Sequence, residues 1–305
     1  MKPPHPRLLA LSAALLLSQL SMPARADILY AGSFSANTVE KIASSGTGTV
    51  FTNTGLSGPA GLAFDTAGNL YVASSNTNSI VRYTPGGVRS VFFSTGLSNP
   101  VGLAFDSAGN LFVSNNGANT IERITPGGVG TVFASTGLSN PQGLAFNATG
   151  DLFVANPGNN TIERITPAAV PTVFTSTGLN NPHGLAFDTQ GNLYAANFGA
   201  NNIEKFNLAG VGTVFGTGLS GPQGLAFDNA GNLYAANLNT NSVQKFASAG
   251  TGSFFSGDGL TNPLFLAFTN DAGTPLPLVN QVPEPASCAL FGLGAVLLAG
   301  RRRRG

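Results

Sequence analysis

Apolar residues fall along this chain in short clusters of four to six, and the clusters recur. The tetrapeptide Gly-Leu-Ala-Phe starts at Gly61, Gly102, Gly143, Gly184 and Gly224, and a degenerate copy starts at Phe265; the intervals are 41, 41, 41, 40 and 41 residues. Three more columns keep this period. Leu29, Leu70, Leu111, Leu152, Leu193 and Leu233 head one; Val39, Ile80, Ile121, Ile162, Ile203 and Val243 mark another; Val50, Val91, Val132, Val173, Val214 and Phe254 mark the last. Each cluster is β-branched or aromatic and bounded by Gly, Asn, Pro or Ser, the signature of a strand, and none has the length of a helix. Four columns in six copies predict 24 strands.

Four antiparallel strands in about 41 residues make one propeller blade, and a lone blade leaves two apolar faces uncovered. Six blades must stack into a ring, so the fold class is all-β, a six-bladed β-propeller. The tract begins at its second column, Leu29, and ends on its first, Phe265. Three strands from the front and one from the back would complete the sixth blade, a 3+1 closure that removes open sheet edges. An open solenoid is the rival arrangement, but it needs distinct capping repeats, and the sequence has none.

The two ends differ from the body. Lys2 and Arg7, an apolar run from Leu8 to Leu20 and Ala24-Arg25-Ala26 read as a signal helix cleaved after Ala26. A spanning anchor is the alternative, but the run falls short of the roughly 20 residues that crossing requires. At the other end Val282-Pro283-Glu284-Pro285 precedes an apolar stretch from Cys288 to Gly300, expected to be helical, and then Arg301, Arg302, Arg303 and Arg304. This order resembles the PEP-CTERM sorting tail. The resemblance implies an exported bacterial protein of the envelope or extracellular matrix, processed by an exosortase-type enzyme. It also implies transient membrane contact through the C-terminal helix, with the Arg block on the cytoplasmic side; a permanent anchor is the alternative. The expected organisation is 1–26 signal peptide, 27–273 propeller, 274–281 linker and 282–305 sorting signal.

Charge narrows the partners. The chain is 42% hydrophobic and 9% charged. Its body, 27–281, holds 7 basic and 12 acidic residues, a net charge of −5, so no basic stripe for nucleic acid exists. The one cysteine, Cys288, lies in the tail and leaves the body without a disulfide. A monomer is expected.

The repeat core, Asn-Pro-x-Gly-Leu-Ala-Phe-Asp-x-x-Gly-Asn-Leu-Tyr-Val-Ala-Asn with Asn-x-Ile-Glu-Arg-Ile-Thr-Pro-Gly-Gly behind it, resembles NHL-type propellers. It is also similar to virginiamycin B lyase-like propellers. The resemblance covers most of 27–269 and implies the fold. Lyase-like relatives depend on histidine and glutamate with a bound metal, and gluconolactonase and regucalcin propellers on a carboxylate-ligated metal. No position here matches those ligands, so no cofactor and no metal residue is expected.

Residues recurring in every blade are explained first by the blade. Asp65, Asp106, Asn147, Asp188 and Asp228 open a tight turn closed by Gly three residues later, a local side chain to backbone bond rather than a calcium site. Asn37, Asn78, Asn119, Asn160, Asn201 and Asn241 suit a left-handed hairpin position bonded to its own backbone. Lys41, Arg82, Arg123, Arg164, Lys205 and Lys245 follow Glu40, Val81, Glu122, Glu163, Glu204 and Gln244, so these side chains are expected to be solvated or to pair between blades, Glu of one blade with the base of the next.

What remains is sparse. The residues after the loop prolines, Ala60, Val101, Gln142, His183, Gln223 and Leu264, vary between blades and should face the mouth of the channel, beside Ser33, Ser74, Asn115, Asn156, Asn197 and Asn237. Gln142, His183, Gln223, Asn115, Asn156, Asn197 and Asn237 are the candidate ligand-binding residues. They are suited to neutral groups such as sugar hydroxyls or peptide backbone; the alternative is that the amides satisfy loop backbone. No catalytic set stands out, and His183 with Asp258 is the weak enzymatic candidate. The expected function is a non-catalytic binding or scaffold module, possible partners being exopolysaccharide or envelope proteins. The alternative is a metal-assisted lyase or lactonase.

Overall fold

A computed structural model describes residues 27–270; both predicted terminal helices and the sorting residues Val282, Pro283, Glu284, Pro285 and Arg301 to Arg304 lie outside them. Within that span the chain forms 24 strands in six four-stranded antiparallel sheets. Blade one contains β1 (Asp27–Ser33), β2 (Thr38–Ile42) and β3 (Gly48–Thr52). Blade two is β4 (Pro59–Phe64), β5 (Leu70–Ser74), β6 (Ser79–Tyr83) and β7 (Arg89–Phe93); blade three is β8 (Pro100–Phe105), β9 (Leu111–Asn115), β10 (Thr120–Ile124) and β11 (Gly130–Ala134). Blade four is β12 (Leu144–Phe146), β13 (Leu152–Asn156), β14 (Thr161–Ile165) and β15 (Pro171–Thr175). Blade five is β16 (Pro182–Phe187), β17 (Leu193–Asn197), β18 (Asn202–Phe206) and β19 (Gly212–Gly216). Blade six is β20 (Pro222–Phe227), β21 (Leu233–Asn237), β22 (Ser242–Phe246) and β23 (Gly252–Ser256), after which β24 (Pro263–Asn270) returns to blade one.

The order β24-β1-β2-β3 is the expected 3+1 closure. First strands touch one another around the whole circle, β4 with β8 and onward to β20 with β24 and β24 with β4, so they are innermost. Second strands are wholly buried in blades two to six and buried from Leu29 onward in blade one, whereas fourth strands form the exposed perimeter.

The core is divided into six layers, one between each pair of blades. The aromatic residue after each second-column leucine meets the phenylalanine of the next blade's Gly-Leu-Ala-Phe edge-on: Tyr30 with Phe64, Tyr71 with Phe105, Phe153 with Phe187, and, across the seam, Tyr234 with Phe268, at 4.9 to 5.1 Å. Each such pair adds about 0.5–1.5 kcal/mol to the area it buries.

The asparagine column does different work from that expected. These residues do adopt positive φ, 49° to 58°, but their side chains bond across the blade boundary. Asn78 Oδ1 accepts the Asn99 N–H at 2.7 Å, Asn119 that of Asn140 at 2.6 Å, Asn160 that of Asn181 at 2.6 Å, and Asn241 that of Asn262 at 2.7 Å. Asn37 and Asn201 hold Gly58 and Gly221 in the same way. The left-handed backbone turns the amide outward, away from its own hairpin, so the column staples every blade to the next.

The expected pairing of Glu with the next blade's base is also corrected. Arg164 pairs with Asp151 at 2.7 Å, and Lys205 and Lys245 with Asp188 and Asp228 at 3.6 Å, each inside one blade. Neighbouring residues on a strand face opposite ways. The bases turn to the first hairpin, while Glu40, Glu122, Glu163 and Glu204 lie buried at 2 to 6% exposure. Burial pushes the Glu122, Glu163 and Glu204 carboxyls up. The turn aspartates are occupied as expected: Asp65 accepts from the Ala67 and Asn69 N–H groups, the Asn69 amide and the Tyr71 hydroxyl.

Candidate functional site

Two kinds of segment share one face of the ring, here the mouth face. The approach loops lead into each first strand, and the second hairpins join second and third strands; backbone bonds such as Phe198 N to Asn181 O, 3.1 Å, tie them together. All twelve segments are built from Ser, Thr, Asn, Gly, Ala, Pro, Leu and Phe except for Gln142 and Asp258.

His183 and Gln223 are the candidate residues that the structure joins. Each is the second residue of an innermost strand, in blades five and six, and His183 Nδ1 meets Gln223 Oε1 at 2.5 Å. Its Nε2 lies 3.3 Å from Asn181 Oδ1. The ring stacks on Phe198 at 4.9 Å between centroids and 21° between planes. His183 is 8% exposed and Gln223 5%. Burial lowers the imidazole to about 4 against the opposing Gln223 hydrogen bond, so His183 is neutral at pH 7.

This shift carries a pH dependence. The unfolded imidazole takes up a proton near 6.5 and the folded one only near 4, so stability from this residue is complete above 6.5 and is lost as pH falls toward 4. The two and a half units correspond to roughly 3 kcal/mol. The buried Glu carboxyls act in the opposite sense, since acid relieves the cost of their charge. Urea unfolding of the native chain beside His183→Gln isolates the histidine. The native chain is expected to lose roughly 3 kcal/mol relative to the variant between pH 7 and pH 4; a constant difference would exclude a buried neutral imidazole.

The asparagine candidates are placed otherwise. Asn115, Asn156 and Asn197 are 0% exposed and Asn237 2%. Asn156 Oδ1 accepts the Ser139 N–H at 3.2 Å while its Nδ2 donates to Gly137 O at 3.0 Å; Asn197 does the same with Asn180 N at 3.2 Å and Gly178 O at 2.8 Å. Asn115 holds Ser98 and Gly96, and Asn237 holds Ser220 and Gln244. Both ends of these amides are therefore spent on blade architecture, chiefly on the approach loops. Gln142 is half-buried just before β12; its backbone oxygen accepts the Ser114 hydroxyl at 2.7 Å.

Asp258 is not beside His183. It is exposed at the perimeter, next to the first residue of β3, and its carboxylate accepts the Gly48 N–H at 3.4 Å. Among the described residues no hydrogen bond or ion pair joins it to His183, and no three His, Cys, Asp or Glu side chains converge on a common point. The metal that lyase-like relatives require does not fit the variable positions here: Ala60, Val101 and Leu264 have no donor, two are glutamines, and His183 alone offers a nitrogen already hydrogen-bonded on both sides.

The sequence reading missed Phe198 and Asn181. The first residue of the second hairpin varies between blades as Phe34, Ser75, Asn116, Pro157, Phe198 and Leu238. That variation, beside the variable residue after each loop proline, was the available signal.

A closed six-bladed β-propeller with a neutral, amide-bearing mouth is the class these features define. The chain belongs to the virginiamycin B lyase family, whose profile matches residues 16–246, and the PEP-CTERM protein-sorting motif matches residues 281–304. The motif marks an exported, surface-sorted bacterial protein processed by an exosortase. Among solved structures, a nidogen/laminin complex contains a chain with TM-score 0.73 and 23% identity, covering 79% of this chain and 98% of that one. A streptogramin B lyase has TM-score 0.65 and 15% identity, covering 81% and 88%. A catalytically inactive virginiamycin B lyase from Staphylococcus aureus with quinupristin has TM-score 0.61 and 19% identity, covering 79% and 87%. These similarities show the fold. No curated protein sequence matches the chain.

Proposed function

We propose that this protein is a non-catalytic binding module, displayed at the bacterial envelope, whose mouth face takes a neutral polar polymer of the exopolysaccharide class. The observation that carries this reading is the chemistry of that face: amides, hydroxyls and apolar surface, one ionisable loop residue and an imidazole held neutral against Phe198 and Gln223. Such a surface can exchange hydrogen bonds with sugar hydroxyls and pack against their apolar faces, and it offers little to an ion. In this reading the leader is removed after Ala26 and the sorting tail is cut by the exosortase; the mass of the exported protein reads both cuts.

Titration of the purified protein with exopolysaccharide from the producing cells tests the reading. Binding should weaken at least tenfold, about 1.4 kcal/mol, in Gln223→Ala, and loss of a melting transition in that variant would be checked separately. No affinity for any envelope polymer would end the proposal.

Family membership favours a second reading, a metal-assisted lyase or lactonase. It requires stoichiometric metal in the purified protein and turnover that disappears in His183→Ala.

A further inference from the structure

Six boundaries join the blades, and two of them differ from the rest at three positions at once. Where blade one meets blade two, the second hairpin opens with Phe34, the approach loop has Gly58 before its proline, and the next second hairpin has Asn76 at its second place. Where blade five meets blade six, Phe198, Gly221 and Asn239 hold the same three places. The other four boundaries have Asn99, Asn140, Asn181 and Asn262 in the loop, a glycine or Ser35 in place of Asn76, and no aromatic residue opening the hairpin.

Backbone geometry does not require the two glycines. Both take a φ of 61°, and the four asparagines hold the same left-handed turn at 46° to 53°. Side chains do require them. A Cβ on Gly58 would lie 2.8 Å from Phe34 Cε2 and 2.7 Å from Asn76 Nδ2, and one on Gly221 would lie 3.0 Å from Phe198 Cε2 and 2.7 Å from Asn239 Nδ2. At both boundaries an aromatic edge and an amide converge over bare backbone, which makes a shelf with a glycine floor.

The shelves stand outside the core. Phe34 and Phe198 are half-buried and belong to none of the six apolar layers between blades. The backbone of each floor is engaged: the Gly58 N–H goes to Asn37 and its carbonyl accepts the Ser75 N–H at 3.0 Å, and Gly221 is tied to Asn201 and Leu238 in the same way. The amides are not spent. Asn76 and Asn239 are exposed; among the described residues the Asn239 amide makes no hydrogen bond, and that of Asn76 makes one long one, to Ser57 at 3.4 Å. An extended peptide is captured by pairing with open backbone groups, and each floor has its own already paired. A sugar ring asks for an aromatic surface under its C–H face and a nearby amide for a hydroxyl, and each shelf has both.

We propose that each shelf is a subsite for one neutral sugar unit and that the two act together on a single glycan chain. They lie two boundaries apart on a closed ring of six blades, so only a chain of several sugars reaches both. Its second contact is then intramolecular and raises affinity without new chemistry. The proposal rests on the glycan reading of the mouth face and adds to it the residues that hold the chain.

The test uses exopolysaccharide from the producing cells, partly hydrolysed and separated into disaccharides and chains of about ten sugars or more, titrated into the full-length protein. Two exchanges copy boundaries the ring already uses. Phe34→Ser, Gly58→Asn and Asn76→Gly together reproduce Ser75, Asn99 and Gly117; Phe198→Asn, Gly221→Asn and Asn239→Gly reproduce Asn116, Asn140 and Gly158. Both should melt within about 2 °C of the native protein. The native protein is expected to bind the long fraction at least tenfold more tightly than disaccharides. Either exchange should bring the long fraction down to the disaccharide affinity, and the two together should abolish binding of both. Asn239→Gly alone, a change at an exposed site, should weaken long-chain binding at least threefold. Unchanged long-chain affinity in the exchanged proteins would overturn the subsites while the binding reading stood, and equal affinity of the native protein for both fractions would overturn their joint action. Unchanged long-chain binding in Asn239→Gly would remove the amide from the site. No binding of either fraction by the native protein would end the reading and the proposal together.

Discussion

Replacing Gly143 by alanine is expected to lower the melting temperature by about 10 °C, although one methyl group is added to a residue with ordinary negative φ. A Cβ at Gly143 would sit 2.2 Å from His183 O, a backbone atom of the next blade, and the same holds for Gly102 against Gln142 O at 2.0 Å and Gly184 against Gln223 O at 2.2 Å. A carbonyl cannot swing aside as a side-chain tip can, so the innermost strands must separate by about an ångström where the ring is tightest. Overpacking of that kind costs about 3 kcal/mol or more, and in a domain of this size each kilocalorie moves the transition by about 2–4 °C. Gly86→Ala is the control: it has open space and no positive φ, and its transition should move by no more than about 2 °C. If Gly143→Ala melts with Gly86→Ala, the glycine column is not what lets the blades meet at the axis.

The contrast between those two glycines shows what a repeat can reveal. Columns of Leu, Val and Phe report the inside of one blade, because pairing and facing within a sheet follow the two-residue period. Strand number, closure and the turn role of Asp65 were legible for that reason. Contacts between blades depend on how two twisted sheets are offset, which no period states. Asn160 could be read as a left-handed residue but not as the acceptor for Asn181. Arg164 could be read as a partner for a glutamate across the boundary, but not as turned back onto Asp151 of its own blade.

The mouth was legible only as a place. Variation at Gln142, His183 and Gln223 pointed to it, whereas the buried state of Asn156 and Asn197 was hidden, because an amide holding a loop and an amide offered to a ligand look alike in sequence. Substitutions between blades carry the clue. Blade two has Ser74 where the four later blades have a loop-holding Asn, and there Arg89 Nη2 reaches Gly55 O at 3.4 Å and the Tyr83 hydroxyl donates to Thr54 O. A ligand-binding column would need no such replacement; a column that satisfies buried backbone does.

Deleting the last strand is expected to have the largest effect of all. A chain ending at Asn262 should show no cooperative unfolding transition, whereas one ending at Asn270 should melt like the full ring. β24 contributes Leu266 and Phe268, at 6 and 8% exposure, and each such burial stabilises by about 1.5–3 kcal/mol. Its six register pairs with β1 add hydrogen bonds worth about 1 kcal/mol each, and Tyr234 loses Phe268 from its ring. The sum, about 10 kcal/mol, is as large as the whole stability of an ordinary domain. Loss of the strand also exposes β1 as an open edge and separates blade six from blade one, so both neighbours lose a covered face. Adding a peptide of residues 262–270 should restore the transition in proportion to its concentration, as expected for a ligand of the folded state. A shorter chain that melts normally by itself would mean that the blades hold together as an open arc, with the seam as an ornament to a structure already complete.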